Sequence, residues 1–358
     1  MIAVRHLKKR FRWRRCAAIA GKQMSARTRL LLALGAFLLT VVSIYPAART
    51  LPQHPDEGIW AWTGLHIVEN AEHGDLNPFR LAPPGWSPLQ TPMTGPVVYG
   101  LVIQLAGLSV PAHPHNWDTE GPTVNPSTLL PRSTLAVVRV TGIVAGAVGL
   151  ALLAFRLGWT GLLGVSLFLA IPHVPGDLGV VAVDNFLLLG LGVSALAYGS
   201  RLFPLAAAFA AACKLNGLIV WPLLLYPKAN GGIRPLFSLG FSWLAWTILT
   251  PASWFRGGPD LLPTVVVYLR AQSAVETAEM FDPAWSRWLP SVLPWIYLPT
   301  HYLLPFELGA CLAIAALLTR WLTSARARPT PCQHDQYRTG GQTTVDRRVA
   351  DRVSPRAR

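Results

Sequence analysis

Apolar runs long enough to cross a lipid bilayer recur along this chain, and they constrain its fold more than any other feature. The first, residues 30–48, carries no charged side chain, and a helix needs about 20 such residues to cross the hydrocarbon. Further runs occupy 134–155, 161–173, 184–200, 203–226, 235–251 and 296–321. Hydrocarbon offers no partner to a bare peptide group, so such segments must close their own hydrogen bonds as helices. The expected fold is therefore an all-α polytopic membrane protein. With 52% hydrophobic and 13% charged residues, the chain is far poorer in charge than soluble domains, which carry about 25%.

The formal charge of +14 raises nucleic acid as a partner, but its distribution argues against one. Residues 1–29 hold ten Lys or Arg and no acid, and the tail after Ser324 is rich in Arg. Basic segments flanking spans mark the cytoplasmic side and attract anionic membrane lipids. Three parts are expected: a basic cytoplasmic segment over 1–29, a membrane domain over 30–323, and a basic, disordered cytoplasmic tail over 324–358. Both termini then face the cytoplasm of a cell inner membrane, with 30–48 an uncleaved signal anchor. The four cysteines, at 16, 213, 311 and 332, have no zinc-site spacing.

Outer loops are expected at about 50–133 and 252–295. Within the first, 58–73 predicts a short helix lying on the membrane with Trp60 and Trp62 as interfacial anchors. Residues 97–110 are apolar but too short to cross, which predicts a juxtamembrane helix. In the second, 261–279 predicts a surface helix. The run 203–226 has two readings. One helix of that length measures roughly 36 Å, enough for a single span. A tight helical pair bending near Lys214–Gly217 instead keeps Lys228, Arg234 and the tail on one side. Charge bias favours the pair, giving about eight membrane segments.

Polar groups at membrane depth are costly and usually paired or functional. Asp56 and Glu57 follow the first span, Arg139 lies early in the second, Asp184 opens a later one, and Lys214 interrupts 203–226. The plain alternatives are solvated loop acids, a snorkelling Arg139 and a helix-capping Asp184; Lys214 is the hardest to explain that way. His113 and His115 lack an obvious third metal ligand. Gly142 and Gly146, four apart, suit close helix packing.

The order of these motifs resembles the membrane glycosyltransferases of the GT-C fold, in particular the dolichyl-phosphate-mannose protein mannosyltransferase and aminoarabinose transferase-like group. HPDEGIWAWTGLHI matches the acidic first-loop motif with Asp56 and Glu57. TGPVVYGLVIQLAG resembles the Pro-Pro-Leu-Tyr-Tyr-like juxtamembrane helix, keeping Pro96 and Tyr99. AVVRVTGIVAG is similar to the Ala-Leu-Arg-Leu-like segment through Arg139, VAVDNFLLLGLG carries Asp184, and AACKLNGLIVWPLLLYP carries Lys214. Thr94 and Gly95 stand where a basic residue or His and one Pro are usual, and the chain lacks the extra spans and outer domain of many relatives.

The resemblance implies a GT-C-like bundle and transfer of a sugar, with inversion, from a polyprenyl-phosphate donor to a lipid, glycan or protein hydroxyl at the outer face. It implies Asp56 as general base with Glu57 assisting, Arg139 and Lys214 on the donor phosphate, and Asp184 and Tyr99 as substrate contacts. A divalent cation at Asp56 and Glu57 is conceivable, but no metal site is otherwise indicated. Two other classes fit the same polar groups: a transporter or lipid flippase, and a catalytically silent member of the family.

Overall fold

The computed structural model describes residues 24–75, 77, 93–114, 125–180, 184–250 and 303–326. The chain divides into two units, residues 1–317 and 318–358; of the second, only the helical residues 318–326 are described. Among the described residues the structure is helical with no strand. The expected surface helix at 261–279, the outer region 252–295 and most of both basic terminal segments lie outside them.

The helices, in order, are α1 (Ala26–Thr50), α2 (Pro55–Glu72), α3 (Thr94–Leu105), α4 (Arg132–Leu157), α5 (Trp159–Leu169), α6 (Val174–Gly179), α7 (Asp184–Ala197), α8 (Phe203–Cys213), α9 (Pro235–Leu249) and α10 (Leu303–Arg326). Two of them, α1 and α4, are long and apolar enough to cross a membrane. A short 3-10 turn, Pro126–Thr128, precedes α4, and a longer 3-10 segment, Leu215–Leu225, follows α8.

Helix α4 is the central post, with α1 against one side and α7 against the other. Helix α1 runs antiparallel to it: Arg139 bonds the carbonyl of Ala48, while a side chain on Gly158 would meet Met24 at the opposite end. Helix α7 runs parallel to α4, since Gly146 faces Asn185 and Gly149 faces Gly192. A Cβ on Gly149 would lie 2.3 Å from the Leu188 carbonyl oxygen, so only glycine allows this approach. Gly142 and Gly146 seat Asn185 in the same seam. The main core joins α1, α4, α5, α6, α7 and α10 through Ile44, Leu150, Phe168, Leu178, Leu188 and Leu308.

The two-way reading of 203–226 resolves into a hairpin. Helix α8 stops at Cys213, Lys214 is fully extended (φ −159°, ψ 143°), and the 3-10 segment folds back along α8. Gly217 abuts Ala210, the Trp221 indole donates to the Ala207 carbonyl at 3.2 Å, and Leu224 packs with Phe203 and Ala207. At the base the Gly199 N–H donates to the Ala229 carbonyl at 2.8 Å. A Cβ on Gly217 would come within 2.1 Å of the Ala210 oxygen. Helix α9 packs on α8 through Ser242, whose hydroxyl donates to the Pro204 carbonyl at 2.6 Å.

Helices α2 and α3 cross at Gly64 and Gly100, where backbones touch. Trp60 therefore turns inward, 9% exposed, and packs with Tyr99, Ile103 and Leu130. It is a core residue and not the interfacial anchor expected from sequence. Trp62 is half-buried, donates to the Ala112 carbonyl at 3.2 Å and meets His66 edge-on.

This topology sorts charge. The end formed by α2, α3, the starts of α4 and α7 and the hairpin tip gathers Asp56, Glu57, Glu69, Glu72, Asp177 and Asp184, against Arg49, Arg132, Arg139 and Lys214. The opposite end holds Arg27 and Arg29 at the start of α1, Arg156 at the end of α4, Arg201 between α7 and α8, and Lys228 and Arg234 after the hairpin. Among the described residues no acid stands at this second end.

Candidate functional site

The acidic end is built from the start of α2. His54 is its N-cap, with Nδ1 accepting from the Asp56 N–H at 3.3 Å. Pro55 supplies the first helical residue, where its missing N–H costs nothing. Glu57 reaches back to accept from the His54 N–H at 2.7 Å, completing a capping box.

Glu57 is fully buried, and its carboxylate is clasped by Arg139. Nε donates to Oε1 at 2.8 Å and Nη2 to Oε2 at 2.7 Å. The rest of the guanidinium is equally engaged. Nη1 donates to the carbonyls of Ala48 and Leu51, and Nη2 also to that of Pro52 at 2.8 Å. All five guanidinium N–H groups thus have acceptors. One side chain ties the end of α1, the linker 51–52 and the start of α2 to α4. Arg139 is itself 5% exposed, a burial that this saturation makes tolerable.

Asp56, one residue earlier, points the other way. Its side chain is 58% exposed and stands 3.7 Å from the His54 ring nitrogen. The two adjacent acids therefore differ in kind: Glu57 is a fastening and Asp56 is open. With both Glu57 oxygens accepting from Arg139, the pair does not present two open carboxylates to a cation.

Lys214, at the hairpin tip, donates from Nζ to Asp184 Oδ1 at 2.7 Å. Both side chains keep some access, at 14% and 19% exposure. The structure thus brings together Glu57 with Arg139, and Asp184 with Lys214. Tyr99 lies within the field of both. Burial holds its phenol well above the ordinary range, and the charges of Glu57 and then Asp184 add to the shift. The ring is fully buried, edge-on to Phe186.

Three further residues shape this end. Thr94, the departure from the expected basic residue, donates its hydroxyl to the Ala212 carbonyl at 2.8 Å, pinning α3 beside the Lys214 turn. Gln53 accepts from the Leu130 N–H at 2.9 Å, holding the approach to α4. Asn185 is fully buried and donates to the Leu178 carbonyl at 3.0 Å. The Gly142–Gly146 spacing was its only sequence signal; Gln53 had none. A further polar cluster joins His173 to Glu307 at 3.1 Å and Asp177 at 3.9 Å.

Chemically, this end offers the open carboxylate of Asp56 at the capped start of α2 and the partly accessible ammonium of Lys214 balanced by Asp184. No family model matches the chain, and neither does any curated protein or solved structure.

Proposed function

We propose that the chain is a polytopic membrane glycosyltransferase that moves a sugar from a polyprenyl-phosphate donor to a hydroxyl acceptor at the acidic end of its helix bundle. The observation that carries this reading is the division of labour between the neighbouring acids. Glu57 and Arg139 neutralise each other in a saturated buried pair and fix the start of α2. That leaves Asp56 as an open base on a rigid support, with Lys214 as the cation available to an anionic leaving group.

Membrane residence has its own support. Leu30, Leu31, Leu34 and Leu38 of α1, and Leu236, Phe237, Phe241 and Leu244 of α9, are all more than half exposed. Apolar surface on this scale suits lipid and not water. The charge sorting supports a cytoplasmic basic end and an outer acidic end. About eight membrane segments follow if α8 and the 3-10 segment count as a pair. At 1.5 Å and 2.0 Å per residue these two arms measure roughly 17 and 22 Å, less than the ~30 Å of hydrocarbon. Lys214 at their tip then stands below the outer surface, where a charge needs a partner; Asp184 supplies it.

In the reaction, Asp56 takes the proton of the acceptor hydroxyl as its oxygen bonds the anomeric carbon from the face opposite the phosphate. The bond from that carbon to the phosphate oxygen breaks, the configuration inverts, and polyprenyl phosphate leaves with the electron pair. Lys214, swinging from Asp184, meets the charge that develops on the leaving oxygen. Glu57 and Arg139 act as positioning residues.

Incubating purified protein with labelled polyprenyl-phosphate sugars and an acceptor lipid extract should release polyprenyl phosphate. Asp56→Asn should lower turnover about 10²–10⁴-fold, the usual worth of a general base, with insertion and folding intact. Undiminished turnover in that variant would remove Asp56 from the role. Sugar-lipid crossing the bilayer without bond cleavage would favour the transporter reading.

A further inference from the structure

At the basic end, far along α4 from Arg139, an apolar cleft of about 390 Å³ opens between α4, α7, the 3-10 segment and α10. Leu153, Leu191, Ile219, Leu223, Leu308 and Leu312 line it. Its one alcohol, Ser194, is already spent on the Ala206 carbonyl at 3.0 Å. Two lining residues break the apolar pattern, Arg156 and Tyr198. Arg156 donates to the Tyr198 carbonyl at 2.9 Å at an exposed position, and the Lys228 backbone adjoins the same turn at Gly199. The volume falls within the range of small-molecule sites, about 300–1,000 Å³. A water-soluble metabolite would find almost nothing to hydrogen-bond on these walls.

We propose that this cleft is a binding site for an anionic phospholipid of the leaflet at the basic end, with one acyl chain between the helices and Arg156 on the headgroup phosphate. The pairing of a dry slot with a cation at its rim is what selects this occupant. An acyl chain fills apolar walls that would otherwise face lipid loosely, and the net positive charge of this end, with Arg201 and Lys228 nearby, favours an anionic headgroup over a zwitterionic one. The inference rests on membrane residence and is independent of the transferase chemistry at the other end.

The test reconstitutes the full chain in phosphatidylcholine nanodiscs carrying a trace of phosphatidylglycerol with a diazirine in its acyl chain, and a matched set with the phosphatidylcholine analogue. Illumination should label peptides containing Leu191 and Leu223, with phosphatidylglycerol favoured roughly fivefold, the factor for about 1 kcal/mol per surface Arg. Arg156→Gln should erase that preference while leaving chain labelling. Ile219→Trp, at a position already 41% exposed, should block the slot and abolish labelling with either lipid. Equal labelling by the two lipids, labelling mainly on the α1 face at Leu34 and Leu38, or preference for a photoactivatable polyprenyl phosphate would each overturn the proposal. Release of the protein from membranes by alkaline carbonate would overturn it together with membrane residence; loss of transferase activity alone would leave it standing.

Discussion

Two acid–base pairs join distant segments at the acidic end, and they are built to opposite specifications. Glu57–Arg139 is bidentate, buried and saturated, with three backbone carbonyls absorbing the remaining guanidinium donors. Asp184–Lys214 is a single 2.7 Å contact between groups that keep 14–19% exposure. A saturated pair can only hold structure, because neither partner has capacity for a ligand. A single-contact pair can exchange one partner for a substrate group at small cost. An acid–base pair is thus a fastening in one place, and in the other it is the pair on which the proposed role of Lys214 rests.

The sharpest way to break this comparison is to remove one member from each pair. Arg139→Met leaves a fully buried carboxylate without its partner and strands three carbonyls. A loss of about 3–5 kcal/mol is expected, read as a large fall in thermal unfolding temperature in detergent. Arg139→Lys should recover little of it, since an ammonium cannot reproduce the planar five-donor fork. Lys214→Met breaks a single hydrogen bond to a carboxylate that keeps some access to water, so it should cost less, about 1–3 kcal/mol of stability, yet lower transfer about 10²–10³-fold, the typical worth of a charge-stabilising donor. Equal destabilisation by the two substitutions would erase the distinction between the pairs.

Much of this end was legible in the chain itself. The apolar runs and glycine spacing marked the helices, and the position of Lys214 inside 203–226 marked the break that the hairpin tip makes. What escaped was the use of each polar group. Asp56 and Glu57 are adjacent in sequence, and nothing in their spacing says that the N3 position of a capping box turns one inward while its neighbour faces solvent. The resemblance made Arg139 a phosphate ligand, and three of its five acceptors are backbone carbonyls, which carry no residue signature. Trp60 read as an interfacial anchor because the Gly64–Gly100 crossing that buries it depends on contact between segments 36 positions apart.

The hairpin supplies a smaller test of the open pair. Gly217→Ala would press a methyl group against the Ala210 carbonyl and force the 3-10 arm from α8, at about 1–3 kcal/mol. Because Lys214 sits at the tip, the shift should also loosen its contact with Asp184 and raise KM for the donor. Gly240, with nothing within 4 Å of the added atom, is the control: Gly240→Ala should leave both stability and KM near wild type.

The smallest effect concerns the electrostatic surroundings of the open pair. Burial raises the pKa of Asp177; His173 opposes the shift, and the charge of Asp184 adds to it. A carboxyl whose folded pKa lies above its unfolded value binds protons more readily in the native state, so its contribution to stability falls as pH rises through that window. Asp177→Asn should therefore leave stability unchanged in acid, where the wild-type carboxyl is protonated, and raise it slightly at neutral pH. The gain is modest because the side chain is half exposed and water screens it. Arg139 and Glu57 are bound to each other through two hydrogen bonds, and the charges that act on Asp177 are those of His173 and Asp184, so Arg139→Met should lose similar stability whether or not Asp177 is charged. The double variant Asp177→Asn, Lys214→Met should depart from additivity, since removing Lys214 leaves Asp184 unneutralised beside Asp177. Strict additivity at neutral pH, measured by thermal unfolding of the four-member cycle, would mean that Asp177 does not sense the open pair.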